Sequence, residues 1–387
     1  MKKIHCLNPI SKKGLALLPA EYELGENPED AQGILVRSAD MHGMELPESV
    51  LAVARAGAGV NNIPCDELGA RGIPVFNTPG ANANGVKELV LAALLLASRD
   101  IYGGITWARQ LEGADIAGQV EKGKKQFAGC EIRGKTLGVI GLGAIGVEVA
   151  NAAADLGMTV YGYDPFLSVM GALHMSHFVS YTQDLDDMLG RCDYLTVHVP
   201  LLPDTRGFLS SDTIGKMKDG VIVLNFARNE LTDNGAMAQA LESNKVRCYI
   251  CDFPNEETLA MKNCIALPHL GASTEESEDN CAVMAVNELM DYLENGNIRN
   301  AVNLPDCDLG KRMAGEKRIA IFHKNIPNMI GQFTSTVASC GVNISHMTNK
   351  SKGQIAYTMM VAEAQDTTEI REKLNKIPDI IRIRVME

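Results

Sequence analysis

The sequence predicts an α/β protein with two doubly wound parallel-sheet domains and a C-terminal domain of ferredoxin-like βαββαβ pattern. Three observations support this prediction. Short apolar segments typical of buried strands alternate with helical segments through residues 1–95. Between Thr136 and Asp164 a strand, a glycine-rich turn, a helix and a second strand follow one another. From Lys317 onward, strands and helices succeed each other in the βαββαβ order.

A chain of 387 residues is long enough for two or three domains. We expect a first domain from residues 1–95 and 270–305, a second from 96–269 and a third from 317–387. Two long helical segments, at 86–98 and 274–295, are expected to carry the chain between the first two domains. The polar segment 300–315 is expected to be a linker.

Composition disfavours several classes of partner. The formal net charge of −12 disfavours nucleic acids and anionic membranes, because both reward positive charge. The N-terminal segment lacks the apolar stretch of a signal peptide, and the longest apolar run, Leu89–Ala97, is too short to span a bilayer. Ten scattered cysteines are typical of buried thiols in a reducing compartment. We therefore expect a cytoplasmic protein without nucleic-acid, membrane or metal partners.

Two loops of the first domain follow predicted strands. The strand ending at Arg55 leads into Ala56-Gly57-Ala58-Gly59, whose glycines favour a turn with N–H groups facing a ligand. Arg55 could bind an anion or form a surface ion pair, and spacing alone does not distinguish these. The strand at 73–76 leads into a polar loop that begins at Asn77.

The segment Thr136–Asp164 has the pattern of a dinucleotide-binding unit. Its apolar strand ends at Ile140, and Gly141-Leu142-Gly143-Ala144-Ile145-Gly146 opens a helix. The glycines suit a tight turn, a close approach of pyrophosphate to the backbone, and close packing of helix on strand. Glycines alone could form a structural turn, but here the strand, the helix and the acid are all in place.

The acid of this unit predicts the identity of the dinucleotide. Asp164 lies 18 residues after Gly146, near the usual spacing of about 20, where a carboxylate accepts both ribose hydroxyls. A carboxylate there repels a 2′-phosphate, and no arginine follows it. We therefore predict NAD rather than NADP. The predicted contacts are Gly141, Gly143, Ala144, Ile145, Gly146 and Asp164.

Charged residues also follow later strands of this domain, where ligands bind in open α/β sheets. Arg228 could hold a carboxylate through two hydrogen bonds. His269 could exchange a proton near neutral pH, and a Glu near 257 could accept the other imidazole N–H. Each residue alone is more often a solvated or structural side chain. Together, beside a dinucleotide unit, they suit oxidation of a 2-hydroxy acid by NAD.

These segments resemble the D-2-hydroxyacid dehydrogenase family. The matching segments, within residues 30–305, are Arg55–Ile63, Asn77–Pro79, Gly141–Gly146 with Asp164, His198–Pro200, Asn225–Arg228 and Pro268–Thr274. The resemblance implies that Arg228 binds the substrate carboxylate, that His269 is the acid/base and that a Glu orients it. It also implies cofactor contacts from His198, Val199, Pro200, Ala227, Asp252 and Gly271, and substrate contacts from Arg55, Ala56, Gly57, Asn77 and Arg228.

Two segments depart from the family pattern. The family usually reads D-V-F-x-x-E after the last strand, where this chain has Asp252-Phe-Pro-Asn-Glu-Glu257. Alignment on the Asp makes Glu257 catalytic, and alignment on Phe-Pro makes it Glu256. We expect Glu257, because that alignment keeps both functional acids. The segment Asn61–Pro64 replaces the Asp-Asn-Ile-Asp common in the family.

The C-terminal segment resembles the ACT domain, which binds amino acids in biosynthetic enzymes. Its segments His323–Pro327 and Gly341–Ile344 match the serine-binding pattern of longer family members. The resemblance implies that L-serine binds at a dimer of these domains through His323, Asn325 and Asn343. The alternative is an oligomerisation module without feedback. We expect a homodimer or homotetramer.

The resemblance implies NAD-dependent oxidation of 3-phospho-D-glycerate to 3-phosphooxypyruvate, the first step of L-serine biosynthesis. Arg55 and Lys87 are candidates to bind the substrate phosphate. A glyoxylate or hydroxypyruvate reductase on the same scaffold is the alternative enzyme, although an amino-acid-binding tail argues against it. A non-catalytic, NAD-sensing interaction protein is less compatible, because the chain has no disordered or basic segment.

Overall fold

The computed structural model describes residues 1–387, which divide into two compact units. Unit 1 consists of Met1–Asn82 and Glu275–Glu387, and unit 2 consists of Ala83–Thr274. The N-terminal part of unit 1 contains β1 (Lys2–Cys6), α1 (Lys12–Leu15), β2 (Tyr22–Leu24), β3 (Gly33–Val36), β4 (Ala52–Arg55), α2 (Cys65–Ala70) and β5 (Val75–Phe76). Its five strands are all parallel, in the doubly wound order β2-β1-β3-β4-β5.

Unit 2 contains a seven-stranded parallel sheet. Its helices are α3 (Ala83–Arg99), α4 (Ile101–Ala108), α5 (Ile116–Gly123), α6 (Ala144–Asp155), α7 (Val169–His174), α8 (Leu185–Arg191), α9 (Ser211–Lys216), α10 (Asn234–Glu242) and α11 (Glu256–Ala260). Its strands are β6 (Thr136–Ile140), β7 (Thr159–Tyr163), β8 (Val179–Thr182), β9 (Tyr194–Val197), β10 (Val221–Asn225), β11 (Val246–Cys251) and β12 (Cys264–Ala266). The order β12-β11-β10-β9-β6-β7-β8 reverses direction between β6 and β9, which creates a crevice at the carboxyl ends of these strands.

The first boundary between the units lies before α3, whereas the sequence placed it near residue 95. The reason is packing: Val86, Val90 and Leu94 are buried in the core of unit 2 with Leu137 of β6. The whole helix therefore belongs to unit 2. Length and hydropathy exclude every single helix as a membrane span, and only α3 and α4 taken together, bent by 68°, meet those two criteria.

The remainder of unit 1 begins with a long helix and ends with an antiparallel sheet. The elements are α12 (Glu275–Asn295), β13 (Lys317–Lys324), α13 (Met329–Ser339), β14 (Ile344–Lys352), β15 (Ile355–Ala362), α14 (Thr368–Leu374) and β16 (Ile380–Met386). The sheet order β14-β15-β13-β16 with two helices confirms the predicted βαββαβ domain.

The two central strands of this C-terminal sheet, β13 and β15, are buried on both faces. Ile319 and Ile321 of β13 pack with Phe333 of α13 in the domain's own core. On the opposite face, Phe322 and Tyr357 stack at 4.4 Å and join the apolar core of the five-stranded sheet and α12. The C-terminal domain and the N-terminal part of unit 1 therefore share one hydrophobic core.

Helix α12 carries a carboxylate in an unfavourable environment. Oε1 of Glu288 accepts a hydrogen bond of 2.6 Å from Asn300, but Oε2 is buried without a partner. Burial raises the pKa of Glu288 to about 8, from an ordinary value of 4.5. The folded state therefore binds this proton more tightly than the unfolded state. The stabilisation from Glu288 protonation is complete below pH 4.5 and is lost as the pH rises through 8.

Replacing Glu288 by Gln should remove this pH dependence. The amide keeps an acceptor for Asn300 and carries no charge at any pH. We expect Glu288→Gln to raise the free energy of urea unfolding relative to wild type more at pH 9 than at pH 6. Glu372→Gln, which removes an exposed carboxylate of α14, should follow wild type at both values. Parallel pH profiles for wild type and Glu288→Gln would contradict the prediction.

Candidate active site

The glycine turn after β6 forms a cradle at the N-terminus of α6. Gly141 has φ of +91°, a left-handed conformation that favours glycine, and a Cβ on Gly146 would overlap the carbonyl oxygen of Gly141. A Cβ on Gly143 would meet nothing within 4 Å, and no side chain caps the helix. The N–H groups of Ala144, Ile145 and Gly146 are therefore open to a ligand, as a dinucleotide pyrophosphate requires.

Asp164 lies at the carboxyl end of β7, beside this cradle. Oδ2 accepts a hydrogen bond of 2.8 Å from the N–H of Leu142, and Oδ1 accepts one of 2.8 Å from the N–H of Phe166. The carboxylate is thereby fixed against the glycine turn. Each oxygen keeps acceptor capacity for a ribose hydroxyl.

His198 occupies the other side of the crevice, directly after β9. A Cβ on Gly141 would lie 2.8 Å from the His198 carbonyl carbon, so the missing side chain lets the two loops meet. The His198 Nε2 lies 2.9 Å from Thr196 Oγ1, whereas Nδ1 is buried without a partner. Desolvation lowers the pKa of His198 to about 4, so the ring is neutral. A buried nitrogen without a partner fits a cofactor that forms a hydrogen bond with it. The predicted cofactor contacts Val199 and Pro200 are the next two residues of the same loop.

Asp252 anchors the loop that carries His269. Its buried carboxylate accepts hydrogen bonds of 2.7 Å from the N–H groups of both Leu270 and Gly271. Burial raises the pKa of Asp252, and the two N–H donors oppose that shift. The sequence identified Asp252 and Gly271 only as cofactor contacts. The sequence did not predict the hydrogen bond between them, which holds the loop in place.

His269 is exposed at the surface of unit 2. Its φ of +57° lies in the left-handed region, which is uncommon for a residue other than glycine, and its ring packs against Phe253 at 4.9 Å. Its side chain makes no hydrogen bond. The predicted contact with a glutamate is therefore absent from this structure.

Glu257, the expected partner of His269, has another contact. Its Oε2 accepts a hydrogen bond of 2.6 Å from Asn234 of α10. It lines a cavity of about 310 Å³ with Asn234, Ala238 and Glu242, and His269 does not line that cavity. Glu256, at the first position of α11, is exposed and makes no hydrogen bond or ion pair. Neither Glu256 nor Glu257 contacts His269 in this structure.

Arg228 follows β10 in a loop shaped by Asn225. The buried Asn225 side chain donates to the Arg228 carbonyl at 2.8 Å and accepts from the Ala227 N–H at 3.1 Å. Arg228 uses one guanidinium N–H on the Ala227 carbonyl, and the remaining donors are open. Asn255, the N-cap of α11, donates to Asn229 at 3.0 Å, so the Arg228 loop and the start of α11 are joined. No sequence pattern indicated the Asn225 and Asn255 contacts.

The predicted substrate residues of unit 1 lie close together. Arg55 ends β4 and donates from Nε to Asn62 at 3.1 Å, and its guanidinium lies against Gly57, where a Cβ would overlap it. Asn77 donates to the Ala58 carbonyl at 2.6 Å, which ties the two loops around Ala56 and Gly57 together. Asn62, in the segment that departs from the family, thus positions Arg55. In unit 2, the other phosphate candidate, Lys87, bonds Asn84.

The predicted effector residues do not converge within one chain. His323 is buried, and its two ring nitrogens contact the Lys324 carbonyl at 2.8 Å and Thr358 Oγ1 at 2.9 Å. The backbone of Asn325 bonds the residue before β15, and the backbone of Asn343 bonds the residue after it. At 3.3 Å per residue these two ends of the strand are about 30 Å apart. Serine binding at a dimer remains a prediction.

Comparisons with known proteins agree with this geometry. The family model for the D-isomer specific 2-hydroxyacid dehydrogenase NAD binding domain matches residues 91–271. D-3-phosphoglycerate dehydrogenase of Haemophilus influenzae is 31% identical over 385 residues, which cover 94% of this chain and 88% of the relative.

Solved structures show the same fold. The NAD+-bound 3-phosphoglycerate dehydrogenase of Entamoeba histolytica is similar with a TM-score of 0.61 and 26% identity, over 78% of this chain and 98% of that chain. A glyoxylate reductase from Paecilomyes thermophila has a TM-score of 0.65 and 26% identity over the same shares. The predictions of the fold and of NAD as cofactor are confirmed.

Replacing Gly146 by Ala should weaken NAD binding. The added Cβ overlaps the Gly141 carbonyl and must push α6 away from β6. We expect the dissociation constant for NAD, measured by calorimetry, to rise about tenfold or more. Gly215→Ala is the matched control, because a Cβ there would meet nothing within 4 Å. Unchanged affinity in Gly146→Ala would show that the cradle does not hold the pyrophosphate.

Proposed function

Since the chain belongs to the D-isomer specific 2-hydroxyacid dehydrogenase family, we propose that it oxidises 3-phospho-D-glycerate to 3-phosphooxypyruvate with NAD. This is the first step of L-serine biosynthesis. One observation carries the choice of substrate. The similarity to a protein named D-3-phosphoglycerate dehydrogenase extends over 94% of the chain and so includes most of the C-terminal domain.

Two side chains of unit 2 perform the proposed chemistry. The open guanidinium donors of Arg228 bind the substrate carboxylate in a bidentate manner and fix the orientation of the hydroxyl-bearing carbon. The imidazole of His269 takes the hydroxyl proton during oxidation and returns it during reduction. Bound NAD supplies the hydride acceptor. Asp252 keeps the His269 loop in place through the N–H groups of Leu270 and Gly271.

We assign the orienting role for His269 to Glu256. Phe253 packs against the His269 ring and Asn255 bonds the residue after Arg228, so the start of α11 adjoins both catalytic loops. Glu256 is the unpaired carboxylate there, whereas Glu257 is bonded to Asn234. A carboxylate on the second imidazole nitrogen fixes the tautomer and raises the basicity of the ring.

The substrate phosphate requires a cation. Arg55 is held by Asn62 at the carboxyl end of β4, next to the backbone of Gly57. A guanidinium beside glycine N–H groups suits a phosphate or carboxylate oxygen. We therefore propose that Arg55 contacts the phosphate and that Lys87 is the second candidate. The similarity to a glyoxylate reductase favours a reductase of unphosphorylated 2-oxo acids as the alternative.

A panel of 2-oxo acids tests the proposed substrate. The measurement is the initial rate of NADH oxidation with 3-phosphohydroxypyruvate, hydroxypyruvate, glyoxylate and 2-oxoglutarate. We expect kcat/KM for the phosphorylated acid to exceed the others by about a hundredfold or more, because only this acid gains the charge-assisted hydrogen bonds that a phosphate forms. Arg55→Gln should reduce this preference, and Lys12→Gln, at an exposed position of α1, should not. A preference for glyoxylate or hydroxypyruvate would instead support the alternative, a reductase of unphosphorylated 2-oxo acids.

Glutamine substitutions separate the two glutamates. Glu256→Gln should lower kcat about a hundredfold, because His269 loses the carboxylate that orients its ring. Glu257→Gln should change kcat by less than about threefold. His269→Gln gives the rate that remains without the acid/base group, and this variant should still bind NAD. The assignment is wrong if Glu257→Gln shows the larger loss of kcat.

A further inference from the structure

A cavity of about 390 Å³ lies within unit 1, where the C-terminal sheet meets the end of α12 and β1. Four of its lining residues are cationic: Lys2 of β1, Arg312 after α12, Arg371 of α14 and Arg384 of β16. We call these four residues and the cavity between them the cationic recess. Its volume is that of a small-molecule site, and none of its residues belongs to the proposed active site.

None of the four cations has a carboxylate partner. Arg384 is buried, donates to the carbonyls of Tyr292 and Leu293 at 3.2 Å, and lies 4.3 Å from the centre of the Tyr292 ring. Arg312 donates to backbone carbonyls of Glu294 and Glu316.

The other two cations, Lys2 and Arg371, form no hydrogen bonds through their side chains. Lys2 Nζ lies 5.2 Å from the centre of the Tyr22 ring and forms no ion pair. The Arg371 side chain makes no hydrogen bond or ion pair, so it can turn toward a ligand. Unpaired charges gathered in a concave site are unusual, because pairing normally offsets their desolvation.

The two acids that line the recess are directed to other partners. Glu294 accepts a hydrogen bond of 2.9 Å from the Tyr22 hydroxyl. Glu387 pairs with Lys317 at 3.3 Å and accepts from Thr367 at 2.8 Å. Among the side chains that line the recess, four cations against two acids give a net charge of +2, whereas the whole chain carries −12. The recess is therefore a local positive field on an acidic protein.

The proximity of like charges also affects the pKa of Lys2. Burial is the largest cause of its lowered pKa, Glu294 opposes this shift, and the positive charges of Arg384 and Arg312 add to it. An anion placed among the cations would relieve this repulsion.

We propose that the cationic recess binds a small phosphate-bearing anion. The cations approach from four different elements, and such a surrounding arrangement suits a tetrahedral phosphate better than a planar carboxylate. The cavity leaves room for a small carbon skeleton beside the phosphate. A bound anion would bridge β1 and the segment after α12 to α14 and β16, and so stabilise the contact between the two sheets of unit 1 by linkage.

Inorganic phosphate is the probe that tests the recess, independently of the proposed reaction. Binding is measured by calorimetry and by the rise in melting temperature, with sodium chloride holding the ionic strength constant. We expect phosphate to bind wild type, and Lys2→Gln/Arg371→Gln to raise the dissociation constant about tenfold or more. The control is Lys12→Gln/Lys376→Gln, which removes two exposed charges of unit 1 outside the recess and should bind as wild type does.

The variants separate this site from phosphate bound elsewhere in the protein. Equal binding by all three proteins, or no binding by wild type, overturns the proposal. Stabilisation by succinate but not by phosphate, at equal ionic strength, also overturns it. Circular dichroism checks the fold, and Arg371→Gln alone provides a second variant, since this exposed side chain has no contact to lose. That single variant should still weaken phosphate binding.

Discussion

The close approach of α6 to β6 is the constraint on which the geometry of unit 2 depends. The helix can begin directly after its strand only because Gly146 has no side chain to overlap the Gly141 carbonyl. That placement sets the helix N-terminus at the point where the strand order reverses. Asp164 from β7 and His198 from β9 reach the same crevice. One backbone contact therefore determines where the groups that can recognise a dinucleotide converge.

The His269 loop depends on a different interaction, because no helix or strand holds it. Asp252 replaces secondary structure there: a buried carboxylate accepts two adjacent N–H groups, and these bonds offset the cost of its burial. Asn225 has the same function for the Arg228 loop, and Asn255 for the start of α11. The proposed chemistry thus depends on a layer of polar side chains that position reactive ones without reacting themselves.

Features encoded by short-range patterns could be predicted from the sequence. The glycine spacing and the acid at residue 164 identified the dinucleotide unit, and alternating elements identified all three sheets. The direction of Glu257 could not be predicted in this way. Successive helical residues are rotated by about 100°, so the contact that each glutamate makes depends on where a five-residue helix begins. The sequence placed the boundary near residue 95 rather than before α3 for a related reason. Apolar residues show that a helix is buried, but they do not show which domain's core contains it.

The C-terminal domain carried a signal that the sequence reasoning did not use. In β13, Ile319 and Ile321 alternate with Ala320 and Phe322, so both faces of the strand are apolar. A sheet whose strands are apolar on both faces needs a partner on the face that its helices do not cover, and here the core around α12 provides it. Because the two sheets share that core, a ligand that stabilises one also stabilises the other. Any coupling from the C-terminal domain to the five-stranded sheet therefore passes through packed side chains, without requiring a hinge between them.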